Sequence, residues 1–339
     1  MAEGERPMIS KYMILLKNMN IQAWVVAVLL LGNVALSHAQ TDYPNKPVRL
    51  IVPFPAGGTS DVMGRMLADE LTRILKQTVI VENIGGAGGV IGTERALKMP
   101  ADGYTLIQTG VGQNAVAHGL EPFPKYDSKK DFQHLTQVHH GPNVLVVNSL
   151  TRFKTLRDLI DYARANPGKV DYGYTPAASG HMAMELFKQT ANIALTGIPY
   201  RGGGPMMIDI IGGQIPLMFI NQDVALQHVR SGKLRSLAVT SSKRNPLYAE
   251  TPTIAESGFP GFEALSWSGM SIVRGTPAPI AEKIEASLLQ AMGSTNIRQR
   301  LEANGFVVPP LGPKIYTDFV SKEVDRWTTV IKKAGIKSL

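Results

Sequence analysis

Two hydrophobic rhythms trade places along this chain. Residues 48–54, Val-Arg-Leu-Ile-Val-Pro-Phe, form a short and largely apolar run that predicts a strand. Val62, Met66, Leu67, Leu71, Ile74 and Leu75 then fall near the 3.6-residue spacing of one helix face. Residues 78–82 read as a second strand, 92–98 as a helix and 104–109 as a third strand. A Gly-rich turn over 83–92 and a Pro-Ala-Asp-Gly turn at 100–103 separate them. Strand, helix, strand, helix, strand implies a parallel sheet with right-handed crossovers.

The pattern restarts after Asp131. Strands are predicted at 145–148, 170–174, 197–200, 215–219 and 237–240, with helices at 155–166, 179–191, 205–212 and 223–231. This is a second α/β unit with its own alternation. Residues 265–273 look extended, and 279–292, 295–304 and 314–333 look helical. This C-terminal part is expected to pack back on the first unit.

The first forty residues follow another logic. Lys11 and Lys17 precede an apolar run over 21–36, and Ser37-His38-Ala39 places small residues at −3 and −1 of a cleavage site. Charged start, short apolar middle and small-residue exit read as a secretory signal peptide, residues 1–39, cut near Ala39. The run is shorter than the roughly 20 residues a spanning helix needs. Met8 and Met13 are alternative starts within a long charged region. No later segment is apolar for long enough to cross a membrane, so the mature protein is expected to be free in the compartment it enters.

Composition narrows the function. With 339 residues, 44% hydrophobic and 18% charged, the chain can bury a large core in two domains or one. The absence of cysteine excludes disulfides, thiol catalysis and Cys-based metal sites. The net charge of +8 is scattered, with no basic stripe interleaved with aromatics, so no nucleic-acid partner is expected. A positive field does help gather anionic solutes.

The most informative segment is Pro53-Phe54-Pro55-Ala56-Gly57-Gly58-Thr59-Ser60-Asp61. A glycine turn between strand and helix leaves backbone N–H groups pointing outward, beside the positive end of the helix, where carboxylates and phosphates bind. Thr59 and Ser60 add hydroxyls and Asp61 can cap the helix. An ordinary strand-to-helix turn with a good cap fits the same residues. Tyr174-Thr175-Pro176-Ala177-Ala178-Ser179-Gly180-His181 repeats the design in the second unit. Two such ends facing across a cleft could hold a dicarboxylate. His181 could contact it, or serve as a structural or solvated histidine. Tyr200-Arg201-Gly202-Gly203-Gly204-Pro205 is a third such turn, whose Arg201 could pair with a carboxylate or remain in water.

Other motifs fail. Gly86–Gly92 resembles a dinucleotide fingerprint, but its sixth position is Ile91 and it follows the second strand rather than the first. Gly212-Gly213-Gln214 joins a helix to a strand and is common by chance. His134, His139 and His140 lack the spacing of a zinc hydrolase and read as surface histidines. No Gly-x-Ser-x-Gly elbow occurs, and no nucleophile, base and orienting group assemble. Binding is therefore expected rather than catalysis, with no metal and no cofactor.

These residues resemble the substrate-binding proteins of tripartite tricarboxylate transporters, the Bug or TctC-like family. The likeness runs in order through nearly the whole mature chain: Tyr43-Pro44, the stretch 46–61, Val81-Glu82-Asn83 to Gly92, Asp102-Gly103-Tyr104-Thr105-Leu106, Pro199 to Pro205, 212–214, 232–240, 251–258 and 275–279. The resemblance implies a type II periplasmic binding protein fold, two α/β lobes joined by two crossover segments around a central cleft. Lobe I would be 43–144 plus 266–339 and lobe II 145–265. It further implies that a ligand carboxylate is held by backbone groups of Phe54–Asp61 and Thr175–His181, Ala178 and Ser179 among them, often through ordered waters. Thr109, Gly110 and Gln113, with Tyr200, Gly202, Gly203 and Asn221, would complete the wall. One departure stands out. After Leu217-Met218-Phe219 many relatives carry an Asp, where this chain has Ile220. That favours a carboxylate without an amine and adds an apolar wall.

The expected function is a periplasmic receptor, monomeric, that delivers a small organic carboxylate to the membrane permease subunits of such a transporter. A binding protein serving a sensor kinase, or a secreted enzyme acting on a carboxylated substrate, are the rival readings.

Overall fold

Residues Val48–Val52 form β1, buried at every position but Arg49 because the crossover helices pack on it, and it has parallel neighbours on both edges. These are β2 (Val79–Asn83) and β3 (Thr105–Gly110), reached through α1 (Thr59–Leu75) and α2 (Val90–Leu97). The computed structural model describes residues 43–336, and the signal-peptide reading of 1–39 lies outside them. A short helix, α3 (Val111–Asn114), follows β3 directly. Next come β4 (Phe132–Asn148), α4 (Leu156–Ala165), β5 (Asp171–Tyr174), α5 (Ser179–Ala191), β6 (Thr196–Pro199), α6 (Gly203–Ile211), β7 (Leu217–Asn221), α7 (Gln222–Arg230), β8 (Leu234–Val239) and β9 (Leu265–Val273). Three helices close the described chain: α8 (Ala278–Gly293), α9 (Thr295–Ala303) and α10 (Pro313–Ala334). The sheet order is β2-β1-β3-β9-β4-β7-β5-β6, with β8 also on β4. The fold is that of a two-lobed periplasmic binding protein.

β4 is the spine. Its first part, through Pro142, pairs with β9; from Asn143 onward it pairs with β7 and β8 instead. Proline has no N–H to donate, so a change of partner at Pro142 follows from its chemistry. The second passage between the two halves, at Ala264–Leu265, lies against the first. Thr240 ties them together. Its hydroxyl accepts from Asn143 N–H at 2.8 Å and donates to Ala264 O at 2.6 Å. Its own main chain pairs with both residues, Thr240 N–H to Asn143 O and Ala264 N–H to Thr240 O.

The C-terminal helices do pack back, α8 on α1 and β4, and α10 on β4. Trp267 and Trp327 are buried there, and both indole N–H groups donate to Glu323 Oε2, at 2.9 and 3.0 Å. Indoles enter a core readily when their one polar atom is so satisfied.

Two expectations are corrected. The strand predicted at 145–148 begins at Phe132 and runs 17 residues. Its polar letters conceal it, since Thr136, Gln137 and His139 sit on buried faces. Nor are His134 and His139 surface histidines; both are buried. His134 Nδ1 lies 2.8 Å from Ser271 Oγ and Nε2 2.9 Å from Ser128 O, while His139 packs against Phe306 with ring centroids 4.2 Å apart. Burial pushes their imidazoles down to about 4 and about 3, so both enter the interior uncharged.

Candidate functional site: two matched turns on one cleft

β1 delivers the chain to the turn Pro53–Ser60, and the Asn83 amide donates to Phe54 O at 3.1 Å to hold it. Gly57 sits at φ +86, a conformation natural to glycine. Its N–H donates to Asp61 Oδ2 at 2.9 Å. Burial acts to raise the Asp61 pKa, but the Gly57 N–H, the Arg65 guanidinium 3.0 Å away and Asn83 together hold it below its ordinary value. Gly58, extended at φ −93 and ψ 174, is the N-cap of α1. Among the described residues, the amides of Gly58, Thr59 and Ser60 have no acceptor within the chain.

The turn before α5 repeats this in register. Ala177 has φ +57, and its N–H donates to His181 Nδ1 at 3.3 Å, again four residues on. Ala178, at φ −67 and ψ 162, is the N-cap. The amides of Ser179, Gly180 and His181 likewise lack an acceptor among the described residues. The imidazole stacks on Tyr174 with centroids 4.3 Å apart, and burial pushes it down to about 4. It is neutral at pH 7, and accepting at Nδ1 leaves its proton on Nε2.

Both turns open on one cavity of about 520 Å³. Phe54, Ala56, Gly57, Gly58, Thr59 and Ser60 line it from the first turn, and Thr175, Ala178, Ser179 and His181 from the second. Thr109 and Gly110 at the end of β3 and Gln113 in α3 also line it, as do Gly202, Gly203 and Asn221. Asp61 and Tyr200 do not line it. Asp61 braces its turn, and Tyr200 Oη donates to Asp209 Oδ2 at 2.7 Å. Arg201 is exposed and also outside the lining. Some lining side chains are already engaged. Thr109 Oγ1 is 2.7 Å from Tyr316 Oη, and Ser179 Oγ lies 3.2 and 3.3 Å from the Asn143 and Asn221 carbonyl oxygens.

The walls meet directly. Thr59 Oγ1 donates to Asp223 Oδ1 at 2.8 Å, across 164 residues of chain. Burial pushes the Asp223 carboxyl up to about 6 despite that bond. The Gly-rich turn 86–89 finds its role here: a Cβ on Gly88 would lie 2.5 Å from Ala177 Cβ. Only a glycine lets these backbones approach so closely.

Sequence reasoning missed Gln108, Asn143 and Ser268, buried residues lining the cavity that keep polar atoms without a partner among the described residues. It also missed the apolar side built by Met206, Met207 and Ile211. A glutamine directly after Leu106 and Ile107 in a predicted strand was a readable signal; α6 gave none, because its apolar face looked like core.

Comparison with known proteins agrees with this geometry. The family model described as "Tripartite tricarboxylate transporter family receptor" matches residues 63–336. The chain is 36% identical over 297 residues to Protein BugT of Bordetella pertussis, covering 87% of this chain and 91% of that one. Among solved structures, an R. palustris protein with adipate superposes with a TM-score of 0.84 at 34% identity, covering 88% of this chain and 100% of its own. The periplasmic binding protein BugD gives 0.83 at 32% identity, with coverage of 88% and 100%. MatC from Rhodopseudomonas palustris with bound malate gives 0.81 at 29%, with coverage of 85% and 100%.

Proposed function

The chain belongs to the tripartite tricarboxylate transporter receptor family, and from that premise we propose that it is a periplasmic receptor that captures a small organic carboxylate between its lobes. It then presents the carboxylate to a membrane permease of the same transporter type. The observation that carries this reading is the pair of similar turns on one cleft, each with three successive N–H groups unengaged among the described residues, 58–60 in the first and, one position further along, 179–181 in the second. Six such donors around one small space suit a negatively charged oxygen pair, and charge-assisted bonds to main-chain N–H groups are among the stronger ones proteins make. The lobe boundaries that go with the proposal, after residue 144 and before residue 266, lie beside the change of partner in β4 and the start of β9. Ligand capture would shift the lobes toward the form a permease recognises.

Native mass spectrometry of the purified chain, followed by a thermal-shift screen of mono-, di- and tricarboxylates, tests capture. A binder raises the melting temperature with concentration by mass action. Silence across the whole screen would remove the proposal. Delivery is tested by co-purification of the closed, liganded protein with permease subunits.

A further inference from the structure

The cleft has two ends of different chemistry. At one, the two turns meet Gln108, Asn143 and Ser268, at 1%, 0% and 6% exposure. Among the described residues, both polar atoms of the Gln108 amide, Asn143 Nδ2 and Ser268 Oγ have no partner. Buried polar atoms are rarely left so unless something else supplies the bond. At the other end the wall is Met206, Met207, Ile208, Ile211, Ile220 and Val224, with His228 one helical turn after Val224.

Among the described residues that line the cleft there is no Asp, Glu, Lys or Arg. One carboxylate is well served at the first end by N–H and amide donors. A second carboxylate on the same ligand would reach methyl and thioether groups, with the His228 imidazole as the polar side chain near them and no Lys or Arg, and desolvating a charge without a full counter-charge is costly. A ligand ammonium would lack an acid in the same way. Resting on the reading that this cleft binds a carboxylate, we infer that its ligand is a monocarboxylate with an apolar body, an alkyl chain or aryl ring laid on the Met206–Ile220 wall.

Hexanoate and adipate test this directly, because they have equal chain length and differ by one carboxylate. Calorimetric titration with these two, benzoate and malate is expected to show hexanoate or benzoate binding at least ~10-fold more tightly than adipate and malate. Adipate or malate binding as tightly as the monocarboxylates overturns the inference and leaves the carboxylate reading standing. No binding of any carboxylate, here or in the wider screen, removes both. Ile208→Lys supplies a second reading. The residue is 73% exposed, so the fold tolerates the change, and it lines the apolar end. The added cation is expected to shift the adipate-to-hexanoate affinity ratio toward adipate by ~2–5-fold. An unchanged ratio would place the ligand's far end elsewhere and overturn the inference.

Discussion

The turns at Gly57 and Ala177 solve one problem with different side chains. Each puts a residue at positive φ, each spends that residue's N–H on an acceptor four positions on, and each leaves three amides for the cleft. The first uses Asp61, an anion that must itself be balanced by Arg65 and Asn83. The second uses His181, a neutral ring held by Tyr174. What the fold requires is an acceptor atom at that position, not a charge. On the proposed reading, attraction for an anion would come from peptide N–H groups and helix ends, which both turns share.

Proline scanning of the first helical residues can break this equivalence. Thr59 and Ser179 follow extended residues, the conformation a proline demands of its predecessor, and proline is tolerated at the first position of a helix. Thr59→Pro and Ser179→Pro each delete one N–H while leaving the helix intact. Each is expected to weaken carboxylate binding by ~10–100-fold, the worth of a hydrogen bond to a charged group at about 1.5–3 kcal/mol. Calorimetry on both variants checks it. Thr59→Val, which keeps the amide and loses only the hydroxyl bonded to Asp223, separates the two effects. A loss in one turn alone would mean that the other does not touch the ligand.

Acid should separate the turns. His181 titrates near 4 in the fold and at 6.5 when unfolded. The unfolded chain then binds more protons, so this group's contribution is present above 6.5 and is lost as the pH falls through about 4. Asp61, held below 3.8, keeps its contribution down to that value and loses it only below. Denaturation followed from pH 7 to 4 should show His181→Asn with a flatter loss of stability than wild type, by up to about 1.4 kcal/mol per pH unit. Asp61→Asn should leave the slope in that window unchanged.

The smallest effect concerns backbone strain. Gly57→Ala places a side chain at φ +86 with open space around it, so its cost is conformational alone, about 1 kcal/mol. Ala177→Gly relieves φ +57 but gives up a fully buried methyl group, so the two terms nearly cancel. Chemical denaturation midpoints check both.

These turns were legible in the sequence because strand, glycine or alanine, cap and helix follow one another without a gap. The α/β alternation was legible for the same reason, each element carrying its own period. β4 was not. Thr136, Gln137 and His139 are buried by partners 130 residues away in β9, a fact no local pattern contains. The apolar end of the cleft stayed hidden because Met206 and Met207 serve both a core and a wall, and periodicity cannot tell the two apart.

Thr240 has a mechanical consequence. Because one side chain grips both passages between the halves, neither passage can flex without pulling on the other. On the proposed capture of a ligand between the lobes, the halves would swing as one coupled unit, like a door on two pins set in one post. Anything that sensed the angle at one outer edge would thereby learn the state of both passages.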